Sequence, residues 1–209
     1  MQVEWLQHSG TADEVTVIFG GWALGPTPFA HLQGPQDVLF VQDYRDLSTT
    51  LPDLGCYART TLLAYSFGVA SYAHWQASNP DPFDIKIAVN GTFTPVNRTT
   101  GIPPVAMEKT IETLSPQAYQ VFLARCFDGK QDRAEIDVEA RKSELIAIGE
   151  RGDAPAVQFD HIWISTKDKI MPTANQLRGW QGQSEHVTRI DAPHVPFARW
   201  STWQEVIGL

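Results

Sequence analysis

The chain has 209 residues, a length that suits one domain with a sizeable core, and its composition is that of an ordinary globular protein. Its formal net charge of −8 argues against non-specific nucleic-acid binding, which needs a basic surface. No apolar run approaches the roughly 18 residues of a membrane span, and the N-terminus lacks the basic start and apolar stretch of a signal peptide. We therefore expect a cytoplasmic protein with neither a membrane nor a nucleic-acid partner.

Short apolar runs rich in β-branched residues alternate with stretches that suit helices. Several of the runs are apolar on both faces, as buried parallel strands are. The alternation predicts an α/β fold with a mostly parallel, doubly wound sheet, formed by a single domain over residues 1–209. The predicted strands are about 3–7 at one edge, 15–19, 38–41, 61–65, 85–89, 161–165 and 186–190, and the predicted helices between and after them include 68–78, 172–181 and 198–207.

One segment, 103–151, breaks the alternation because it contains no convincing strand. Ser115-Pro116 opens a predicted helix that runs to about Arg125, since proline suits the first helical position. A second helix fits 137–148. We interpret the segment as a helical insertion that caps a site at the sheet edge; the alternative is a plain crossover connection, which its shortness also allows.

A serine stands where a predicted strand meets a predicted helix, in Ala64-Tyr65-Ser66-Phe67-Gly68. At a sharp strand-to-helix turn, small flanking residues relieve crowding and leave the serine hydroxyl exposed above the sheet. Ala64 takes the place of the usual first glycine, which loosens the match to this motif. The strand-turn-helix context predicts that Ser66 is a catalytic nucleophile.

A serine hydroxyl needs an adjacent base, and the base needs an orienting acid. In α/β-hydrolases the acid and then the histidine follow the serine along the chain, each after a late strand. Asp168 and His194 occur in that order, each just after a late predicted strand. We predict His194 as the base and Asp168 as the acid, and Asp128 and Asp191 remain alternative acids.

An oxyanion hole in this fold takes one backbone N–H from the residue after the nucleophile and another from the loop after an early strand. Phe67 holds the first position. The loop Gly20-Gly21-Trp22-Ala23 holds the second, and its glycines let the backbone pass close to a substrate. We predict Trp22 and Phe67 as the donors, and the alternative is that the two glycines form an ordinary turn.

Neither a cofactor nor a metal is expected. The chain has no glycine-rich phosphate-binding motif and no His-Glu-x-x-His. Its two cysteines, Cys56 and Cys126, have no metal-ligand spacing and are too few for a disulfide framework. We expect both to be small, semi-buried residues.

Four segments resemble the BioG family of pimeloyl-[acyl-carrier protein] methyl ester esterases, which act in biotin synthesis. The resemblance runs nearly end to end and is weakest over about 100–155. It implies hydrolysis of the methyl ester of pimeloyl-acyl-carrier protein to methanol and the free carboxylate, with Ser66, Asp168 and His194 as the triad. The segments are Ile18-Phe19-Gly20-Gly21-Trp22, Ala64-Tyr65-Ser66-Phe67-Gly68-Val69, Ala88-Val89-Asn90-Gly91-Thr92 and Pro193-His194-Val195-Pro196-Phe197.

An acyl-carrier protein is acidic, so an enzyme with a net charge of −8 needs a local basic surface to bind one. The segment 98–151 contains eight of the 16 lysines and arginines, against nine acidic residues. If its cations share a face, they would hold the carrier; the alternative is a solvated pair of helices with salt bridges. The candidates are Arg125, Lys130, Arg133, Arg141 and Lys142.

Two other functions remain open. The same triad would serve a general short-chain carboxylesterase or a thioesterase, since it is common to all of these enzymes. A function of a different class is a non-catalytic binding protein with the hydrolase fold. We expect the protein to be a monomer.

Overall fold

The computed structural model describes residues 1–208, which form a seven-stranded sheet with helices on both faces. The strands are β1 (Gln2–Gln7), β2 (Glu14–Phe19), β3 (Asp37–Gln42), β4 (Arg59–Tyr65), β5 (Ile85–Val89), β6 (His161–Ser165) and β7 (Val187–Ile190). The α-helices are α1 (Phe67–Gln76), α2 (Pro104–Thr113), α3 (Pro116–Cys126), α4 (Val138–Arg151), α5 (Thr173–Gly179) and α6 (Trp203–Ile207). Short 3₁₀ turns occupy Thr27–Phe29, Gln181–His186 and Phe197–Arg199.

The sheet has the order β1-β3-β2-β4-β5-β6-β7, and only β1 is antiparallel to its neighbour. On β4, Leu62 and Ala64 face one hydrophobic cluster and Leu63 and Tyr65 face the other. Both faces of this strand are therefore buried, which explains its continuous apolar sequence. The prediction of an α/β fold with a mostly parallel, doubly wound sheet is confirmed.

Three helices, not two, occupy the insertion between β5 and β6. The additional helix, α2, begins at Pro104 and buries only Met107 among its residues. The helix α3 begins as predicted, with the Ser115 hydroxyl accepting a hydrogen bond from the Ala118 N–H. The side chains of α2, α3 and α4 reach the cavity described below.

The prediction of a single final helix over 198–207 is wrong. The chain forms a short 3₁₀ turn over Phe197–Arg199, becomes extended at Trp200 and starts α6 at Trp203. Thr202 caps α6, and Glu205 returns a hydrogen bond to the Thr202 backbone, so the two residues form a capping box. The pattern Thr-x-x-Glu is the sequence signal that marks this start.

The two cysteines differ in exposure, and the prediction that both are semi-buried is wrong. Cys56 is exposed, whereas Cys126 is fully buried at the end of α3, and both are free thiols. Burial raises the pKa of the Cys126 thiol far above its usual value. Among residues 1–208, no helix is long and apolar enough to span a membrane.

Candidate active site

Ser66 lies at the turn between β4 and α1 with φ 56° and ψ −125°, a backbone conformation that non-glycine residues rarely adopt. Glycines make room for this turn. A Cβ atom on Gly68 would lie 2.0 Å from the Phe19 carbonyl oxygen, and one on Gly91 would lie 2.2 Å from the Ser66 carbonyl oxygen. Ala64 is fully buried in β4 and fits in place of the usual glycine.

His194 joins Ser66 to Asp168 through two hydrogen bonds. Its Nε2 lies 3.0 Å from the Ser66 Oγ, and its Nδ1 lies 2.7 Å from the Asp168 Oδ2. The carboxylate can only accept, so the neutral imidazole donates from Nδ1 and accepts the serine proton at Nε2. The structure therefore brings together the three residues predicted as nucleophile, base and acid. The His194 and Asp168 side chains are buried to 1% and 0% exposure.

Neither alternative acid contacts the histidine. The Asp128 carboxylate lies on the surface in an ion pair with Lys169, which lowers its pKa. Asp191 lies 2.9 Å from the Lys167 Nζ and is 71% exposed, and its pKa is lowered chiefly by that hydrogen bond. Of the three acids considered from the sequence, only Asp168 reaches His194.

Asn90, at the end of β5, connects the strand ends that carry the site. Its Nδ2 donates to the Ser165 Oγ and to the His194 carbonyl oxygen, both at 2.8 Å, and its Oδ1 accepts from the Ser165 N–H at 2.7 Å. The side chain is buried and the backbone is left-handed, with φ 48°. In the sequence, Asn90 is part of a family signature without an assigned role, and its position directly after a buried strand is the signal for the role found here.

The early glycine loop passes directly beside the nucleophile. A Cβ atom on Gly21 would lie 2.6 Å from the Tyr65 ring and 3.4 Å from the Ser66 Cβ. Trp22 and Phe67 then line the same cavity as Ser66. Within residues 1–208, neither Trp22 nor Phe67 donates its backbone N–H to a loop or side-chain acceptor. The two predicted oxyanion donors thus lie next to the serine.

The Arg141 side chain lies in a buried ion-pair network and not on a surface open to a carrier. It is 16% exposed, donates to Glu144 at 2.7 Å and lies 3.2 Å from Asp43. Its carbonyl oxygen accepts from the Trp22 Nε1 at 3.0 Å, so α4 is attached to the oxyanion loop. The Arg141 charge, which the sequence assigned to a carrier surface, is paired with Asp43 and Glu144 in the structure.

Two further hydrogen bonds link the loop after β3 to α4 and to the glycine loop after β2. The Glu144 carboxylate, 1% exposed, accepts from the Tyr44 N–H at 2.9 Å, and the Tyr44 hydroxyl donates to the Gly20 carbonyl oxygen at 2.8 Å. Burial raises the pKa of Glu144, while the hydrogen bond from Arg45 is the main reason that the pKa of Asp43 is lowered. The network therefore fixes α4 against the sheet edge next to the oxyanion loop.

A cavity of about 130 Å³ opens onto the nucleophile. Ser66 and His194 form its reactive end, and four of its nine apolar lining residues lie on α2, α3 and α4. Two cations, Arg125 and Lys169, also line it. The apolar lining comes from Trp22, Leu24, Phe67, Ile102, Ala106, Met107, Phe122, Leu145 and Ile170. Such a cavity suits an aliphatic acyl chain whose reacting carbonyl lies at Ser66.

Three of the other predicted cations lie exposed on or after α3. Arg125 is exposed at the cavity, and Lys130 and Arg133 are exposed in the segment that follows the helix. Lys130 and Lys169 line one shallow depression together with the exposed Val121. Lys142, on α4, is half-buried. Among residues 1–208, no group of three or more His, Cys, Asp or Glu side chains could hold a metal ion.

Comparison with known proteins identifies relatives over nearly the whole chain. A family model described as "Pimeloyl-ACP methyl esterase BioG" matches residues 1–206. A curated Bacteroides fragilis (strain 638R) protein, named malonyl-[acyl-carrier protein] O-methyltransferase, is 34% identical over 199 residues. That match covers 87% of this chain but only 39% of the relative, so the chain spans well under half the length of that protein.

Solved structures share the fold. The crystal structure of BioG from Haemophilus influenzae superposes with a TM-score of 0.87 and 26% identity, covering 99% of both chains. MGS-M2, an α/β-hydrolase from a Medee basin deep-sea metagenome library, has a TM-score of 0.60 and 13% identity, covering 92% of this chain and 86% of that one. The second likeness shows the fold alone, and it confirms the predicted α/β-hydrolase fold. The family match over residues 1–206 confirms the resemblance seen in the sequence: the chain belongs to the BioG family of pimeloyl-ACP methyl esterases.

Proposed function

We propose that this chain hydrolyses the methyl ester of pimeloyl-acyl-carrier protein, with Ser66 as nucleophile, His194 as general base and Asp168 as the orienting acid. The observation that carries the proposal is the continuous hydrogen-bonded chain from the Ser66 Oγ through His194 to Asp168 beside an apolar cavity. Membership of the family supplies the substrate. The Bacteroides relative, whose name refers to O-methylation of a carrier-bound acyl group, is consistent with a carrier-bound methyl ester.

The first half of the reaction forms an acyl-enzyme. The Ser66 Oγ attacks the ester carbonyl carbon while the His194 Nε2 takes the hydroxyl proton. The Asp168 carboxylate stabilises the imidazolium that results. When the tetrahedral intermediate collapses, the bond to the methoxy oxygen breaks and His194 returns the proton to it, which releases methanol.

The carbonyl oxygen of the ester gains negative charge in this step, so hydrogen-bond donors that already point at it stabilise the transition state. The Trp22 and Phe67 N–H groups would supply them, since both residues border the cavity next to Ser66. The tie between the Trp22 indole and α4 keeps the loop in place while charge develops. Loss of one such donor typically slows the chemical step by roughly 10²–10³-fold.

The second half of the reaction consumes one water. His194 removes a proton from the water, whose oxygen attacks the acyl carbonyl carbon, and the Ser66 Oγ leaves with that proton. The product is pimeloyl-acyl-carrier protein with a free ω-carboxylate. The apolar wall of the cavity would hold the methylene chain of the substrate while the reacting carbonyl lies at Ser66.

The carrier would dock beside α3. Arg125 and Lys169 border the cavity, and Lys130 and Arg133 line a shallow depression along α3. All four are exposed, and Val121 adds 54% of its surface as an apolar contact. An acidic carrier with an apolar patch complements such a surface. Compared with the surface expected from sequence, this docking surface leaves out Arg141 and Lys142 and adds Lys169, whose ammonium is exposed and paired with the surface carboxylate of Asp128.

Charge reversal tests the docking surface. We expect the double variant Lys130→Glu, Arg133→Glu to lower kcat/KM for the carrier-linked ester by about tenfold relative to kcat/KM for a p-nitrophenyl ester, with a weaker salt dependence. Arg189→Glu is the matched control, because Arg189 is an exposed cation on β7 that does not line the cavity. An unchanged ratio of the two rate constants would rule out this surface.

Complementation tests the function as a whole. A strain that lacks its pimeloyl-carrier esterase should grow without biotin when it carries this chain and should not grow when it carries Ser66→Ala. A general carboxylesterase would cleave p-nitrophenyl esters and fail to complement. A thioesterase would release free carrier thiol in place of methanol, and a non-catalytic protein would not react with a serine-directed phosphonate.

A further inference from the structure

The Asp168 carboxylate accepts four hydrogen bonds, and one of them comes from a side chain that has no part in the triad. Its Oδ1 accepts from the backbone N–H groups of Ile170 and Met171, at 2.8 and 2.9 Å. Its Oδ2 lies 2.7 Å from the His194 Nδ1 and 2.8 Å from the Gln176 Nε2. Gln176 thus binds the same oxygen that orients the histidine.

The orientation of the Gln176 amide is fixed by its surroundings. Its Nε2 donates to the Asp168 Oδ2 and to the Met171 carbonyl oxygen, at 2.8 and 2.9 Å. Both partners are acceptors only, so an amide turned by 180° would place its own oxygen against two oxygens. The hydrogen bond to Asp168 is therefore donated by Gln176 in this arrangement.

Packing alone does not account for a glutamine at this position. Gln176 is fully buried, and within residues 1–208 no protein group donates a hydrogen bond to its Oε1. A buried unpaired carbonyl oxygen is unfavourable, and a methionine of similar length would fill the space without one. Another buried glutamine, Gln183, has both ends satisfied: its Oε1 accepts from the Phe159 N–H and its Nε2 donates to the Val157 carbonyl oxygen.

We propose that Gln176 is a positioning residue that holds the Asp168 Oδ2 in line with the His194 Nδ1 and withdraws part of the negative charge from that oxygen. The inference rests on the proposed function, because it assigns Gln176 to the same triad. Without the Gln176 donor, the two backbone N–H groups still hold the Asp168 Oδ1, but the Oδ2 keeps the His194 Nδ1 as its single hydrogen-bond partner among the groups named above. More of the charge on that oxygen is then directed at the imidazole, which stabilises the imidazolium relative to the neutral base.

Other charged or titratable groups face the same pair and stay unchanged when Gln176 is replaced. Tyr65, on β4, lies with its ring centroid 5.3 Å from that of His194. Cys126 and Arg125 approach from α3, and Lys169 lies in the loop of Asp168 and borders the cavity. A change in pH dependence that is confined to Gln176→Met is therefore attributable to the lost donor.

The test is the rate of Ser66 phosphonylation by a serine-directed fluorophosphonate, measured from pH 5 to 9 in wild type, Gln176→Met and the control Gln183→Met. This rate requires the base but no particular acyl group. We expect Gln176→Met to react roughly tenfold more slowly at its optimum and to have the midpoint of its acidic limb moved to higher pH by about half a unit or more. Gln183→Met should keep the wild-type midpoint, even if its thermal stability falls.

If Gln176 only supported the fold, Gln176→Met would be less stable than wild type, and its rate of phosphonylation would fall by the same factor at every pH. Coincident midpoints in wild type and Gln176→Met, with both proteins folded by circular dichroism, would therefore overturn the inference while leaving the triad intact. If Gln176→Met does not fold, the shorter donor-free variant Gln176→Val is measured in the same way. Wild-type protein that does not label at all overturns the proposed function, and the inference with it.

Discussion

Arg141 is a sensitive site for testing the buried network that attaches α4 to the sheet edge. Arg141→Met keeps most of the aliphatic length but removes the charge that faces the buried Glu144 and Asp43. Removing one partner of a buried pair typically costs about 3–5 kcal/mol, because the other charge stays buried without compensation. Asp43 keeps Arg45 and Glu144 keeps the Tyr44 N–H, so we expect the lower end of that range, about 3 kcal/mol at pH 8.

The loss should depend on pH because Glu144 can take up a proton. Its pKa is already raised by burial in the native protein, and the Arg141 charge opposes that rise. An acid with a raised native pKa stabilises the fold fully below its unfolded pKa, and the stabilisation is lost as pH rises through the native value. Removing Arg141 raises the native pKa further. The difference between wild type and variant is therefore smallest near pH 4.5 and grows toward pH 8.

Urea unfolding at pH 5 and pH 8 measures this difference, provided that both proteins unfold in two states. Arg133→Met is the matched control, since Arg133 is exposed, and we expect its unfolding midpoint to match that of wild type at both pH values. An Arg141→Met variant whose loss of stability is the same at both pH values would refute the role assigned to Glu144. A variant as stable as wild type would refute the network itself.

Two further predictions concern the site and the turn that holds it. Asp168→Asn should lower kcat by roughly 10⁴-fold in steady-state ester hydrolysis, because the amide favours the wrong histidine tautomer. Asp128→Asn should leave kcat unchanged. A large loss of kcat in Asp128→Asn with none in Asp168→Asn would identify Asp128 as the acid. Gly68→Ala should prevent folding, as judged by circular dichroism, because its Cβ would lie 2.0 Å from the Phe19 carbonyl oxygen. The control is Gly149→Ala, which lies within α4 with open space around it and should stabilise the protein by about 0.5–1 kcal/mol. A folded, active Gly68→Ala protein would contradict the assigned turn.

The sheet and the order of the site residues could be predicted because both depend on local patterns. The apolar run 62–65 of β4 is buried on both faces and ends at the turn that holds Ser66. Asp168 and His194 follow β6 and β7, two late strands that were also predicted. Chain order and strand ends predicted that the three residues meet, with Asp128 and Asp191 as alternative acids, and the structure places Ser66 and Asp168 each within hydrogen-bonding distance of His194.

The parts that escaped prediction depend on contacts between distant segments. The helix α2 begins at the pair Pro103-Pro104, which in sequence is typical of a turn or loop, and it buries only Met107. The sequence predicts a surface cation at Arg141, because its partner Asp43 lies 98 positions away and no local pattern links the two residues. Gln176 lies on a helix and carries no local sign that it is buried against Asp168, whereas the only signal for Asn90 is its place directly after a buried strand.

The release of methanol from pimeloyl-acyl-carrier protein methyl ester tests the central claim most directly. Wild-type protein should release one methanol per carrier and leave the thioester to the carrier intact, so that free carrier thiol does not appear. Ser66→Ala should release no methanol above the uncatalysed rate. A wild-type protein that releases no methanol, or a Ser66→Ala variant that releases it at the wild-type rate, would contradict the assignment of Ser66 as the nucleophile of a methyl ester esterase.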